Sequence, residues 1–205
     1  MTKRVNAKKK FSRKLGGSLW GQAKDPYLKR NYKPGQHGAA SKGRVSDYGT
    51  QLKAKQRMKF YYGNISEKQF SNTFALASSS KGDVSENFIA LLESRLDVVI
   101  YRANFVPTVF AARQFVSHKH VTVNGKIVNI ASYRVKIGDV VQVREKSRKL
   151  ALVIDAQQKM ERDIPSYMML DKDAFSAKLT EKPTFAEVPY AIEMQPQLIT
   201  EFYSR

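Results

Sequence analysis

Lysine and arginine are the residues of this sequence whose number and placement indicate chemistry. Residues 1–62 carry 17 of them against 2 carboxylates, and the whole chain of 205 residues has a formal net charge of +18. A net charge of about 2–8 is enough to keep a small domain soluble, so the excess indicates a polyanionic partner. Because each phosphate that Lys or Arg neutralises releases condensed counterions, a nucleic acid is the first such partner and an acidic membrane the second.

The positive charge is distributed unevenly along the chain. Residues 63–160 hold 14 basic and 8 acidic side chains, whereas residues 161–205 hold 5 basic and 8 acidic ones. We therefore expect the amino-terminal third to make the main electrostatic contact, and the carboxyl-terminal quarter to have another task.

The sequence offers few groups for catalysis or metal binding. It has no cysteine, which excludes disulfides and cysteine-containing zinc sites. Its three histidines, His37, His118 and His120, have no convincing nucleophile or metal partner in the sequence. Gly125 and Lys126 are followed by Ile127, and not by the Ser or Thr of a phosphate-binding loop. These features predict a binding protein that needs neither cofactor nor metal.

The basic amino-terminal segment, residues 1–45, is predicted to be irregular. Gly16-Gly17 and the run Pro34-Gly35-Gln36-His37-Gly38 break regular structure. With so many like charges, the segment is expected to be poorly ordered alone and to become ordered on its anionic partner. The two glycines of the Pro34–Gly38 run would let the backbone approach a phosphate closely.

Helical periodicity follows this segment. Residues 46–62 are predicted to form a helix that Ser46 or Asp47 caps and Gly63 ends, and Ser66 begins another with a capping box. Apolar residues at spacings of three and four predict a helix over residues 85–102. Thr108 can cap a short helix that extends to about His118.

The period then changes from 3.6 to 2, which indicates strands. Asn124-Gly125 between β-forming residues predicts a tight hairpin, and Gly138-Asp139 predicts a second turn before a strand that includes Val141. Residues 160–190 are predicted to be loop with one helix at most. The tail, residues 198–203, is expected to be a short helix or strand that packs on the body.

Together these elements predict an α+β fold. A basic irregular extension spans residues 1–45, and a helical lobe spans residues 46–93 and is completed by residues 175–205. A small module of two helices and a twisted antiparallel sheet spans residues 94–157, and residues 158–174 connect it to the tail.

Several short motifs resemble those of the family of bacterial small-subunit ribosomal protein four, in its α-proteobacterial or mitochondrially encoded branch. The motifs are Pro34-Gly35-Gln36-His37-Gly38, Ser46-Asp47-Tyr48-Gly49 with Gln51-Leu52, Glu86-Asn87 through Leu96-Asp97, Arg113-Gln114-Phe115-Val116-Ser117-His118, Val123-Asn124-Gly125, Val128-Asn129-Ile130-Ala131-Ser132-Tyr133, Arg144-Glu145-Lys146 and Glu201-Phe202-Tyr203-Ser204-Arg205. The resemblance runs along the whole chain and is weakest over residues 160–190.

The resemblance implies a function and partners that composition could not show. It implies a structural protein of the small ribosomal subunit, not an enzyme, whose residues near 94–157 form an RNA-binding module shared with some pseudouridine synthases and tyrosyl-tRNA synthetases. Such a protein is a primary binder of 16S rRNA, organises a junction in the 5′ domain during assembly and contributes to translational accuracy. It also implies contacts with small-subunit ribosomal protein five and with mRNA on its way into the ribosome, and autoregulation through the operon mRNA as an open possibility.

The chain departs from the family pattern at two places. Some relatives carry an amino-terminal cysteine cluster that binds zinc, and this sequence has none, so no metal is expected. The stretch Ala39-Ala40-Ser41 is less basic than is typical of the family, which puts the contacts made there in doubt.

Basic and hydrogen-bonding side chains in these motifs are the predicted RNA contacts, because folded RNA is read mostly through phosphates and 2′-hydroxyls. The predicted set is Lys8, Lys9, Lys10, Arg13, Lys14, Lys33, Gly35, Gln36, His37, Tyr48, Gln51, Lys53, Lys55, Arg57, Arg95, Arg102, Arg113, Gln114, His118, Lys119, Lys126 and Arg134. For the tyrosines Tyr48, Tyr61, Tyr62 and Tyr133, packing is favoured over stacking on bases. Asp97 is expected to pair with a neighbouring arginine.

Two other classes of protein remain as alternatives. An RNA-modifying enzyme could carry the same module, but it would need a separate catalytic domain, and both flanking stretches are largely accounted for. A membrane-surface protein would need a long amphipathic basic helix, which residues 46–62 match only faintly. An organellar transit peptide is also basic and poor in acids. The expected location is the cytoplasmic ribosome, or the mitochondrial ribosome if the protein is organelle-encoded.

Overall fold

The computed structural model of the protein describes residues 9–40 and 45–204, so that Lys8, Ser41 and Arg205 lie outside the described residues. Helices and strands are numbered separately in chain order. The helices are α1 (Lys10–Leu15), α2 (Pro26–Lys29), α3 (Asp47–Tyr61), α4 (Glu67–Ser78), α5 (Val84–Glu93), α6 (Leu96–Arg102), α7 (Val109–Ser117), α8 (Glu145–Arg148), α9 (Ala151–Lys159) and α10 (Pro196–Tyr203). The strands are β1 (Val121–Val123), β2 (Lys126–Ile127), β3 (Val140–Val143), β4 (Met168–Asp171) and β5 (Ser176–Leu179).

The described residues divide into two units. The first unit is formed by residues up to Asn72 and from Tyr190 onward, and the second unit by Thr73–Pro189. In the described ranges the first unit is helical, whereas the second combines helices with a five-stranded antiparallel sheet. This arrangement confirms the predicted α+β class.

Two short helices interrupt the amino-terminal segment that the sequence predicts to be irregular. Asp25 caps α2, because its carboxylate accepts a hydrogen bond from the backbone N–H of Tyr27 at 2.9 Å. The same carboxylate is buried and accepts from the hydroxyls of Ser12 at 2.7 Å and Ser18 at 3.1 Å. One buried carboxylate with three donors therefore holds α1 and α2 together.

The amino-terminal segment also contributes to the core of the first unit. Leu15 and Leu19 are buried against Phe60 of α3, and the indole of Trp20 donates to the carbonyl of Tyr61 at 3.0 Å. Apolar side chains of this segment are thus part of the core, and the prediction that residues 1–45 are irregular is wrong at α1 and α2.

Helices α3 and α4 begin where the sequence predicts. The hydroxyl of Ser46 accepts from the N–H of Gly49 at 3.2 Å, and that of Ser66 accepts from the N–H of Gln69 at 3.3 Å. The tail forms the helix α10, which packs along α3 with Ile199 fully buried. The helical alternative for the tail is therefore confirmed.

The helix predicted over residues 85–102 is in fact two helices, and the prediction of one continuous helix is wrong. Between α5 and α6, Arg95 is extended, with φ −68° and ψ 138°. The N–H groups of Leu96 and Asp97 donate to the carbonyls of Tyr133 at 2.8 Å and Ala131 at 3.1 Å. The break pairs the chain with a segment far along the sequence, which local periodicity cannot reveal.

The sheet of the second unit has the strand order β2-β1-β3-β5-β4, and all its pairs are antiparallel. The predicted hairpin is confirmed: Asn124 and Gly125 have φ of 49° and 77°, and Thr122 pairs with Ile127. Val121, Val123, Val141 and Val143 are buried, whereas Thr122 and Gln142 between them are only half-buried. This alternation is the period of two that predicts these strands.

The prediction of a loop over residues 160–190 is wrong, because β4 and β5 lie there. β5 pairs with β3, with Val141 opposite Ala177, and β4 pairs with β5 at the edge of the sheet. Each strand has only four residues, which is too short for a clear alternating pattern. The two strands form a local hairpin, and only β5 pairs with a strand more than thirty residues away in the chain.

Candidate nucleic-acid interface

The Pro34–Gly38 loop of the first unit is held to α1 by Arg13. The guanidinium of Arg13 donates to the carbonyls of Tyr32 at 3.1 Å and Lys33 at 3.3 Å, and lies 4.7 Å from the centre of the Tyr32 ring. A Cβ at Gly38 would overlap the carbonyl oxygen of Lys33, so the close approach at this position requires glycine. Arg13, one of the predicted RNA contacts, thus positions the loop.

The loop and the segment before it present several predicted contacts to solvent. The side chains of Lys9, Lys10, Lys14, Lys33, Gln36 and His37 are exposed, as is Gly35. The Lys9 ammonium also donates to the carbonyl of Lys24 at 3.2 Å. The first unit therefore exposes a group of donors with little acidic charge in the sequence around it.

The predicted contacts on α3 differ in exposure according to the face of the helix. Lys53 and Tyr48 are exposed and Arg57 is half-buried, whereas Gln51 and Lys55 are buried. Gln51 donates its side-chain amide to Glu201 of α10 at 3.0 Å. Gln51 thus joins α3 to the tail.

Lys55 is paired inside the first unit. Its ammonium donates to Glu67 at 2.9 Å and lies 4.1 Å from the centre of the Phe202 ring. Glu67 also accepts from Lys59 at 3.1 Å and from the hydroxyl of Tyr203 at 2.9 Å. The carboxylate of Glu67 therefore joins α3, α4 and α10.

The contacts of Glu67 shift the pKa of its carboxyl. Burial raises the pKa, but hydrogen bonds from Lys55, Lys59 and Tyr203, together with the charge of Lys55, outweigh burial and lower it to about 2. Burial, together with the hydrogen bond to Glu67, raises the pKa of Tyr203. At neutral pH, the carboxyl of Glu67 is therefore ionised and the hydroxyl of Tyr203 keeps its proton.

In the second unit, Asp97 organises two of the predicted arginines. Its fully buried carboxylate accepts from Arg95 at 3.0 and 2.9 Å and from Arg113 at 3.2 Å. The predicted pairing of Asp97 with an arginine is confirmed. Arg95 is buried by this arrangement, whereas Arg113 remains about a fifth exposed.

Arg102 lies in the interior of the second unit. Only 2% of the residue is exposed, and its guanidinium donates to both oxygens of Glu93 at 3.0 and 2.8 Å. The hydroxyl of Tyr167 also donates to Glu93, at 2.8 Å. Arg102 thus joins α5 to α6 in the core.

The exposed predicted contacts of the second unit lie at the end of α7 and just after it, in β2, and in the segment between β2 and β3. They are Gln114, His118, Lys119, Lys126 and Arg134. Lys119 has a φ of 63°, and Arg144 donates to its carbonyl at 3.0 Å. The turn after α7 therefore holds Lys119 in a defined position.

Arg144 and His120 were not among the predicted contacts. The Nδ1 of His120 lies 2.8 Å from the hydroxyl of Ser147, and its ring stacks on Phe115 at 4.8 Å. Burial, the neighbouring His118 and Arg144 together lower the pKa of His120. The motif Arg144-Glu145-Lys146 was the signal in the sequence that could have found Arg144.

The four tyrosines considered for stacking separate into two pairs. Tyr61 and Tyr62 are buried, which confirms packing for them, whereas Tyr48 and Tyr133 are 53% and 36% exposed.

None of the helices in the described ranges combines the length and the apolar composition that a membrane-spanning segment requires.

Each unit therefore exposes several of the predicted residues, whereas Gln51, Lys55, Arg95 and Arg102 are interior and Arg13, Arg57 and Arg113 are half-buried. Comparison with known proteins shows which family models and relatives the chain matches. Residues 3–93 match the family model described as Ribosomal protein S4/S9 N-terminal domain, and residues 94–141 match the S4 domain model. The chain is also similar to proteins of Brucella abortus, Brucella ovis and Brucella anthropi that are each named Small ribosomal subunit protein uS4. It is 56% identical to each of these over 205 residues, which cover all of both chains.

Proposed function

The chain belongs to the family of ribosomal protein S4, and from this premise we propose that it is a structural component of the small ribosomal subunit that binds the rRNA of that subunit. The observation that carries the proposal is the 56% identity to relatives named uS4 over the full length of both chains. The family is structural and not enzymatic, so the alternative of an RNA-modifying enzyme is set aside.

The exposed side chains supply the physical means of binding. Lys9, Lys10, Lys14 and Lys33 in the first unit are ammonium groups that can neutralise phosphates. Gln114, His118, Lys119, Lys126 and Arg134 in the second unit are donors suited to phosphates and 2′-hydroxyls. Gln51, Lys55, Arg95 and Arg102 each pair with a carboxylate inside their own unit. The proposed RNA contacts are therefore the exposed side chains.

The mechanism is a clamp driven by charge. The exposed group of each unit binds a separate part of one folded RNA junction, and the protein holds the two parts together. Arg13 and Gly38 support this in the first unit by fixing the loop, and the buried Asp97 pairs support it in the second by fixing α6 and α7.

Finer features follow from the resemblance to the family. The RNA is a 16S-type rRNA, the junction lies in its 5′ domain, and binding occurs early in assembly and contributes to translational accuracy. Small-subunit ribosomal protein five and incoming mRNA are the further partners, and the operon mRNA is a third candidate. The protein acts in the ribosome, in the cytoplasm, or in the mitochondrion if an organelle encodes it.

Filter binding tests the proposal. The full chain is titrated with a transcript of the 5′-domain junction and with an arbitrary RNA of equal length, over a series of salt concentrations. We expect much tighter binding to the junction and a steep dependence on salt. Equal affinity for both RNAs would refute the proposal, and modified nucleotides after incubation would revive the enzyme alternative.

A further inference from the structure

The tip of the β1–β2 hairpin carries a chemically reactive pair of residues, Asn124 and Gly125. Asn124 is the one asparagine of the sequence that a glycine follows. Because glycine has no side chain, its backbone nitrogen can reach the carboxamide carbon of the preceding asparagine with little hindrance. Both residues are exposed, and a Cβ at Gly125 would meet nothing within 4 Å, so water has free access to this peptide bond.

The side chain of Asn124 is nevertheless held at both ends of its amide. The amide nitrogen donates to the carboxylate of Asp139 at 2.9 Å, and the amide oxygen accepts from the backbone N–H of Val140 at 2.9 Å. These partners fix which way the amide points, because an ionised carboxylate only accepts and a backbone N–H only donates. The carboxamide therefore joins the tip of the hairpin to the turn before β3.

The partners of Asn124 are themselves fixed. The second carboxylate oxygen of Asp139 accepts from the backbone N–H of Lys136 at 2.9 Å, and Asp139 is half-buried. The backbone N–H of Asn124 also donates to the carbonyl of Val140 at 2.9 Å. Turning the carboxamide of Asn124 toward its own Gly125 thus means breaking both of its side-chain hydrogen bonds.

We propose that Asn124 is a deamidation site of the chain, and that Asp139 and Val140 keep the site latent in the folded protein. In the reaction, the backbone nitrogen of Gly125 bonds to the carboxamide carbon of Asn124, and ammonia leaves with the proton that this nitrogen loses. Water then opens the five-membered imide at either carbonyl, which gives aspartate or isoaspartate. The reaction needs only water, and it begins when the hairpin tip opens locally.

Deamidation would loosen the join between the two turns. Both products replace the neutral amide donor of Asn124 with a carboxylate that faces the carboxylate of Asp139. The like charges repel each other, and isoaspartate also adds one carbon to the backbone of a tight turn. The hydrogen bond to Asp139 that held the site latent therefore cannot form again at neutral pH.

Incubation of the full chain at mildly alkaline pH tests the site, with peptide mass spectrometry to locate each asparagine that has reacted. We expect Asn124 to react about thirtyfold more slowly in the native protein than in guanidinium, the effect of two ordinary hydrogen bonds that must break first. Asn129 is an internal control, because it is also exposed but is followed by Ile130, whose branched side chain crowds the attacking nitrogen. In guanidinium, Asn129 should react far more slowly than Asn124.

Two matched variants test the role of Asp139. Asp171 makes a comparable contact in another turn, where its carboxylate accepts from the backbone N–H of Ala174 at 3.0 Å. We expect Asp139→Ala to raise the native rate at Asn124 about fivefold, the effect of losing one hydrogen bond, and Asp171→Ala to change it less than about twofold. In guanidinium, wild type and both variants should react at one rate, because the Asn-Gly sequence is the same in all three.

Each outcome decides a separate part of the proposal. If another asparagine reacted before Asn124 in guanidinium, the assignment of the site would be wrong. Equal rates at Asn124 in native and unfolded wild type would show that the fold does not hold the site latent. Equal native rates in wild type and Asp139→Ala would remove Asp139 from the device. If circular dichroism shows that Asp139→Ala does not fold, the comparison of native and unfolded wild type still decides.

Discussion

Arg102 serves the interior of the second unit, although its charge alone would suggest RNA contact. Its guanidinium is paired with Glu93 where almost no solvent reaches either side chain. Removing one partner of a buried pair leaves the other charge without compensation, which costs about 3–5 kcal/mol. We expect Arg102→Met to lower the free energy of unfolding by this amount, as measured by urea denaturation.

Arg134→Met is the matched control for Arg102→Met. It makes the same chemical change at an exposed side chain, and we expect a change within about 0.5 kcal/mol. Equal losses in the two variants would mean that the Arg102–Glu93 pair contributes nothing beyond ordinary packing.

Glu67 makes the stability of the first unit depend on pH. Its pKa is about 2 in the folded protein, below the value of about 4.3 expected for an unfolded chain. A lowered pKa contributes stability that is fully present above the unfolded value and is lost as pH falls toward the folded value. We therefore expect the unfolding free energy to fall between about pH 4.5 and pH 2, and the Glu67→Gln variant to show a smaller fall.

Two comparisons sharpen the test of Glu67. Glu161→Gln changes an exposed carboxylate outside this group, and its acid profile should follow the wild type. The difference between Glu67→Gln and wild type should also shrink in high salt, because half of the Glu67 side chain is exposed to screening ions. Parallel acid profiles for Glu67→Gln and wild type would contradict the assignment.

Two lysines of α3 show why the exposed RNA contacts were only partly predictable from the sequence. Lys53 and Lys55 have the same charge and nearly the same position in the chain, yet Lys53 is exposed and Lys55 is buried against Glu67 and Phe202. The acceptor for Lys55 comes from another helix, and the ring comes from the tail. Composition shows that the segment is rich in lysine and arginine, but tertiary packing decides which of these side chains face solvent.

At the scale of elements, features set by local chemistry were predictable. Ser46, Ser66 and Thr108 cap helices as expected, since a capping hydroxyl needs only a nearby N–H. The break at Arg95 and the pairing of β5 with β3 were not predictable, because their hydrogen bonds join segments distant in the sequence. Local signals thus located the β1–β2 hairpin and most helices but missed β5 and the edge strand β4 that pairs with it.

The turn of the β1–β2 hairpin requires positive φ at Gly125. A Cβ at this position would meet nothing within 4 Å, so the cost of Gly125→Ala comes from backbone strain alone. We expect this strain to lower the free energy of unfolding by about 1–2 kcal/mol in urea denaturation. Lys126→Ala, at the next position, should change it by less than about 0.5 kcal/mol, and a larger effect there would show that side-chain contacts support the turn.

At the scale of the whole molecule, the amino-terminal segment has two roles at once. It carries much of the positive charge, and it buries Leu15 and Leu19 against Phe60. Deleting residues 1–44 would therefore uncover part of the core, and a loss of RNA binding would not isolate the role of charge. Replacing exposed lysines one for one keeps the core and changes only the electrostatics.

Lys9, Lys10 and Lys14 are exposed lysines of that segment, and together they test where the charge acts. Replacing all three with Gln should reduce the salt slope of binding to the 5′-domain junction by about two to three, because each phosphate contact contributes about 0.7–0.9. The same change at Lys146, Lys149 and Lys159, exposed lysines of the second unit outside the proposed contacts, alters net charge equally. Filter binding across salt compares the two variants. If the position of the charges matters, the Lys9, Lys10 and Lys14 variant should reduce the salt slope more than the Lys146, Lys149 and Lys159 variant does. Equal reductions would mean that net charge alone drives association, and that neither unit presents a surface fitted to the RNA.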